Sequence, residues 1–510
     1  MIKLKADKTY YALLLILHIG VIWFFSYFPT QDGPSHIYNL VILKELIEGG
    51  ENWSNYFTYE LKLIPNLGFL IVSYPLLQLF SPIVVEKIFL SIYIFLFGIA
   101  APIFLKTFGK RLFPYIFLIF PVIFNYNLFL GFYSYSITIP FFLIIVSLSW
   151  KLRDIAVTWK FLWLNIAGLS LFFFHLIPFV FFVLWLAVID LTRKITKKNK
   201  IYNLIKLQLI IFPSLSALLF YLIKAEKYSL DFSHLGSLKR YSMLFLDLVS
   251  FSTLSLSKLQ MFPAIPYIFI VIVFGYSTFK KNYFCHKRSN LLAIDKNKEP
   301  LILLAITLTM IYFIAPFRFG NGSFLNQRFP WVIFLITLPC LEIPDTFFWK
   351  LYGTKILAFI VGIFFLFNVY VIYEENVKVQ EFMVASKEVE FEPFEIVMTY
   401  KVLKNDWSRV DVLIHAASYF GIFKRVINCN NYEARSNYFP VKFRESIPHM
   451  PDSFQIIHMP YTINFEDYSS IKYILGWDLN KVDRYKIKKA FSLKWEKKRM
   501  TVWERDKDEN

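Results

Sequence analysis

Apolar residues fall in runs of about 15–22 positions between residues 10 and 374, each closed by a short polar or basic stretch. After residue 375 the runs shrink to strand length and charges become frequent. A run of the longer kind crosses a bilayer core as a helix, because lipid offers no partner for a free backbone group. The pattern predicts spans at 10–28, 84–105, 112–126, 134–150, 161–175, 177–191, 204–223, 263–279, 300–315, 329–343 and 354–374. The fold class is therefore an α-helical polytopic membrane protein with about eleven transmembrane helices. Two parts are expected, a transmembrane domain over 1–375 and a small soluble α/β domain over 376–510.

Charge gives the orientation. Lys3, Lys5 and Lys8 precede the first run, which reads as an uncleaved helix with a cytoplasmic N-terminus. Asp32, Glu45, Glu48, Glu51 and Glu60 then outweigh Lys44 and Lys62, as expected of an outer loop over 29–82. The stretch 66–82 is apolar but short and carries Pro75 and Pro82. If it spanned, the basic loops near 106–111, 151–160, 193–200 and 280–298 would all lie outside. The positive-inside rule makes it a juxtamembrane helix and puts the C-terminal domain outside the cell.

Composition adds two limits. The chain has 510 residues, 56% hydrophobic and 20% aromatic, with a net charge of +18. The Lys and Arg residues cluster between apolar runs and accompany no nucleic-acid-binding signature, so their partners are membrane lipids and not nucleic acid. Of Cys285, Cys340 and Cys429, only Cys429 is placed outside, so no intrachain disulfide is expected. Frequent Lys, Ile, Phe and Asn suggest a bacterial source and its inner membrane. In the tail, 410–414 and 425–428 read as strands around a helix at 415–423, with further strand candidates at 454–458, 471–475, 485–492 and 500–504.

Three clusters carry candidate chemistry, all on the outer side. Asp32-Gly33-Pro34-Ser35-His36 opens a helix that ends at Gly49-Gly50. Asp32 and His36 stand four apart on one face, where a carboxylate beside a histidine removes a proton from a hydroxyl; the competing role is a plain helix cap. Arg318 and Arg328 bracket a short loop with Asn321 and Gly322. Anchoring arginines belong on the cytoplasmic side, so a pair here favours an anion site, with Arg328 suited to phosphate. Asn125, Tyr126, Asn127 and Tyr133 would hold a sugar by hydrogen bonds and stacking, or form an ordinary aromatic belt. His175 with Pro178, and Asp231 with His234, read as structural.

The early helix, the acidic first loop with its juxtamembrane segments, the many-helix bundle and the outer C-terminal domain together resemble the GT-C superfamily. These are membrane glycosyltransferases with lipid-linked donors, and the architecture is similar to bacterial relatives of protein O-mannosyltransferases and aminoarabinose transferases. Asp32 stands where that family places its first-loop acid, and Asp32 to His36 looks like the Asp-x-x-x-His of some eukaryotic members. The resemblance implies a polyprenyl-phosphate-linked sugar donor, a lipid, glycan or protein acceptor, Asp32 as general base, His36 as a positioning group, and Arg328 with Arg318 on the donor phosphate. The chain departs from many relatives in the next outer loop, where Asn125-Tyr126-Asn127 carries no carboxylate. The cofactor stays open between none and a divalent cation, with Asp32 as its ligand.

Three other classes compete. A flippase or transporter of a lipid-linked saccharide would use the same ligand, although the helix centres hold almost no ionisable residue for ion coupling. An O-antigen polymerase or ligase would rely on Arg318 and Arg328 and leave Asp32 incidental. A mere membrane anchor for the tail would need one helix.

Overall fold

The computed structural model describes residues 2–61, 64–154, 157–192, 211–224, 230–232, 237–250, 253–284, 295–319, 322–401, 408–436 and 438–506. The basic 193–200 loop, the start of the 204–223 span, His234, Cys285 and Asn321 lie outside the described residues. Cys340 and Cys429 are buried free thiols.

Within the described residues the predicted spans overlap helical segments, several of them short. Among the described residues, five helices are long and apolar enough to cross a membrane: Asp7–Phe24, Pro82–Thr107, Tyr133–Lys151, Lys258–Lys281 and Phe347–Glu388. Shorter apolar helices include Phe161–Phe174, Leu176–Thr192, Phe212–Tyr221 and Glu299–Ile314. Large apolar side chains such as Ile16, Phe24, Phe269, Phe359 and Leu366 point outward from these helices. Such a belt is costly in water and stable in lipid, so the chain is an integral membrane protein.

Two segments differ from the expected pattern. The 112–126 run is a 3₁₀ helix, Tyr115–Val122, followed by the short helix Tyr126–Phe129, and both are fully buried. Pro114 and Pro121 remove backbone donors from this stretch, which breaks the regular helical ladder. The last predicted span does not stop at 374, since the helix runs unbroken from Phe347 to Met383. Its far end is held by Phe382, whose ring meets Phe420 and Trp477 of the tail, and by Glu381, which pairs with Lys498 and Arg499. The 66–82 stretch is one ten-residue helix, Gly68–Leu77, with Pro75 inside it. At 1.5 Å per residue it is about 15 Å long, too short to cross a bilayer.

The tail is built on a five-stranded sheet in the order Ile427–Asn428, Ile396–Lys401, Ile471–Trp477, Met500–Arg505, Phe491–Lys497. The first three strands are parallel and the last two antiparallel. The strand expected at 410–414 is instead a turn. The Asp411 carboxylate accepts from the Leu413 amide and pairs with Lys401 at 2.5 Å, which bends the chain. The parallel strand is Ile396–Lys401, which the pattern did not single out. Residues 454–458 lie in the helix Ser453–His458, capped by Asp452. The 485–492 candidate splits into the end of helix Lys481–Ile487 and the start of strand Phe491–Lys497.

The tail and the first loop share one core. Tyr38, Ile42, Leu43, Trp53 and Phe57 pack with Met398, Ile427 and Ile474 of the sheet. Burying an apolar side chain of this size contributes about 1.5–3 kcal/mol. Strand Phe57–Tyr59 pairs antiparallel with Val441–Phe443, and Asn39 and Asn431 exchange reciprocal amide hydrogen bonds of 2.9 Å.

Candidate functional site

The site begins with the turn that carries Asp32. The Gln31 and Asp32 amides donate to the Phe129 and Leu130 carbonyls, at 2.9 and 3.3 Å, so two loops run side by side. Gly131 makes that approach feasible. Its φ is +86°, and a Cβ there would stand 2.7 Å from the Asp32 nitrogen. Pro34 then starts the helix Gly33–Ile47, and Gly49, at φ +83°, follows its end.

Asp32 is the N-cap residue of that helix, but its carboxylate makes no capping hydrogen bond. It accepts from Gln31 Nε2 at 3.1 Å, and His415 Nε2 from the tail stands 3.6 Å from it. Burial pushes the Asp32 carboxyl up to about 6, while His36, Gln31 and Tyr432 pull against that rise. His36 does not face Asp32 directly. Its Nδ1 lies 2.7 Å from the Glu433 carboxylate and its Nε2 lies 2.9 Å from the Gly131 carbonyl. Burial lowers its pKa, but Glu433 and then Asp32 more than reverse this and hold it at about 8. His415 is brought down to about 3, by burial and then by the His36 charge, so its ring is neutral.

Asp32, His36, Arg318 and Arg328 all line one cavity of about 970 Å³. Tail residues Tyr432, Ser436 and His458 form part of its polar wall. Ile177, Val180, Phe181, Ile311 and Ile314 form an apolar wall, and Ile314 is 64% exposed. The Arg328 guanidinium makes no ion pair among the described residues. It donates to the Ser323 carbonyl at 3.3 Å, lies over the Phe132 ring at 4.3 Å, and keeps a buried Nε without an acceptor. A half-buried cation with no carboxylate in ion-pair range among the described residues suits an anionic ligand. Its main chain is fixed by the Tyr135 hydroxyl, which donates to the Arg328 carbonyl. Arg318 is exposed at the rim, on a two-residue strand paired with Leu230–Asp231.

The third predicted cluster divides. Tyr133 lines the cavity, and its hydroxyl bonds Glu86 at 2.5 Å and Thr30 at 2.8 Å. Asn125, Tyr126 and Asn127 do not line it. Asn125 caps the Leu128 amide and donates to the Val122 and Ile123 carbonyls. Asn127 donates to the Gln327 carbonyl, and the Tyr126 ring lies 4.5 Å below Arg409. Asn125 thus orders its own turn and Asn127 ties it to the loop of Gln327, while the Asn127 Oδ1 keeps no partner among the described residues.

Glu86, His415, Tyr432 and Glu433 were missed as site residues. The local sequence of the tail carries no signal for them, and Glu86 reads only as an acid near a helix end. His175, read as structural, lines the cavity with its ring 5.2 Å from Tyr135. For a divalent cation, the residues do not converge. Among the described residues no three His, Cys, Asp or Glu groups gather as ligands, and both His36 nitrogens are engaged.

The fold and site define a class: a polytopic helical bundle with a mixed polar and apolar cavity at the end where the C-terminal tail packs. The sequence matches no family model and no curated protein. The fold is similar to the crystal structure of ArnT from Cupriavidus metallidurans in the apo state, with a TM-score of 0.55 over 99% of this chain and 98% of that one. At 10% identity the likeness carries the fold and no residue correspondence.

Proposed function

We propose that the chain is a glycosyltransferase that moves a sugar from a polyprenyl-phosphate donor to an acceptor hydroxyl, at the outer face of a bacterial inner membrane. The N-terminus would then be cytoplasmic and the tail extracytoplasmic. The observation that carries this reading is one cavity lined by both an ionisable carboxylate, Asp32, and a guanidinium with no ion pair among the described residues, Arg328, beside an apolar wall. The apolar wall suits a lipid tail and the polar wall its phosphosugar head.

In this mechanism Asp32 accepts the proton of the acceptor hydroxyl as its oxygen attacks the anomeric carbon. The bond from that carbon to the donor phosphate oxygen breaks, and the phosphate leaves with the electron pair. Arg328, with Arg318 nearer the rim, meets the charge that develops on it. One displacement inverts the anomeric centre. His36 has no free nitrogen for substrate, so its contribution is its charge.

A structure of the protein with a polyprenyl-phosphate analogue tests the reading. Phosphate density within reach of Arg328 and Asp32 is the expected result. Density elsewhere, on a pathway leading through the bundle, would replace transfer by transport. The pH dependence follows from the two ionisations. Asp32 accepts a proton only when ionised, so transfer should rise as pH passes about 6. His36 loses its charge above about 8, so the rate should fall there. A bell-shaped kcat/KM profile with its plateau between these limits is expected, and a flat profile across them would count against Asp32 as base.

A further inference from the structure

We propose that Glu433 is a positioning residue, a tail carboxylate that clamps His36 against the Gly131 carbonyl and so fixes a cation beside Asp32. The proposal rests on Asp32 being the base, and it adds the group that sets the charge around it.

The geometry gives His36 one role. The Gly131 carbonyl can only accept, so Nε2 carries a proton at 2.9 Å from it. Nδ1 stands 2.7 Å from a carboxylate that is 2% exposed, and a proton there makes the ring an imidazolium. Glu433 left without the ring would be a buried, unpaired charge, which costs several kcal/mol by order of magnitude. Attachment of the tail does not need this pair. The Asn39–Asn431 exchange, the bond from the Tyr38 hydroxyl to the Val426 carbonyl and the strand pair at Phe57–Tyr59 already hold the two parts together.

The other groups facing His36 do not take over the function of Glu433. Phe69 and Phe439 present apolar rings. Tyr133 is turned to Glu86, whose second oxygen accepts from Tyr419 at 3.2 Å. Asp32 lies on the same helix and shares its surroundings with His415 and Tyr432. Glu433 is the carboxylate in direct contact with the ring. The tail therefore contributes to the charge state of the site as well as to its wall.

The test is Glu433→Gln in the full-length protein, which keeps the shape and removes the charge. Two readouts are needed: the titration midpoint of His36 by NMR of labelled histidine, and the pH profile of transfer. The His36 midpoint should fall by about 1–3 pH units. The alkaline limb of the profile should fall with it and narrow the bell against the Asp32 limb, with the donor KM unchanged at the pH of maximum rate. A midpoint unmoved from that of the natural protein overturns the proposal, as does a uniformly lower rate with an unchanged profile. If the glutamine variant does not fold, Glu433→Asp carries the test, with a smaller downward movement expected and no movement overturning it. The NMR midpoint needs no turnover, so it decides the clamp even if transfer from a polyprenyl-phosphate sugar is never observed.

Discussion

Asp32→Asn is expected to lower transfer by about 10²–10⁴-fold while leaving the protein folded and expressed. The loss follows from chemistry, since an amide cannot accept the proton that the acceptor hydroxyl must give up. Folding should survive because the carboxylate is not a helix cap and its environment already disfavours the charge. The new amide keeps an oxygen for Gln31, and burying a neutral group costs less than burying an anion. Initial rates with a polyprenyl-phosphate sugar, set beside the thermal unfolding of the same sample, measure both halves. Normal transfer by a well-folded variant would remove Asp32 from the mechanism.

Arg328→Ala is expected to be nearly as severe, but with a different signature. Removing one preorganised donor from a developing oxyanion costs about 10²–10³-fold in kcat. Because the same group also meets the donor phosphate before reaction, the donor KM should rise, whereas the acceptor KM should stay near its natural value. Arg318→Ala is the comparison, since that side chain is exposed and solvent weakens its pull on an anion. Equal losses in the two variants would mean that Arg328 holds no special place at the phosphate. Separate donor and acceptor titrations of each variant decide this.

The sequence made the bundle legible because lipid forces long apolar runs into helices, whatever their neighbours. Asp32, His36 and Arg328, singled out by their spacing and their place at the membrane edge, line one cavity in the fold. The partners of a polar group were harder to read. Asn125 and Asn127 have the chemistry of a sugar site, and their amides bond backbone carbonyls outside the cavity lining. Val410 to Ile414 has the apolar content of a strand, but Asp411 turns the chain by bonding two residues ahead. His415, Tyr432 and Glu433 were beyond reach for a different reason. Each is unremarkable in its own segment and enters the site through a tertiary contact made far along the chain.

The strand pair between Phe57–Tyr59 and Val441–Phe443 bears on how such proteins can be recombined. The register fixes Thr58 opposite Lys442, and the reciprocal Asn39–Asn431 bonds tie the helix that begins beside the cavity to the same tail. A tail exchanged between relatives would arrive with an orphaned sheet edge and a mispaired amide, however well its own sheet folded. The unit of exchange is the tail together with residues 33–59, two pieces of sequence that form a single part.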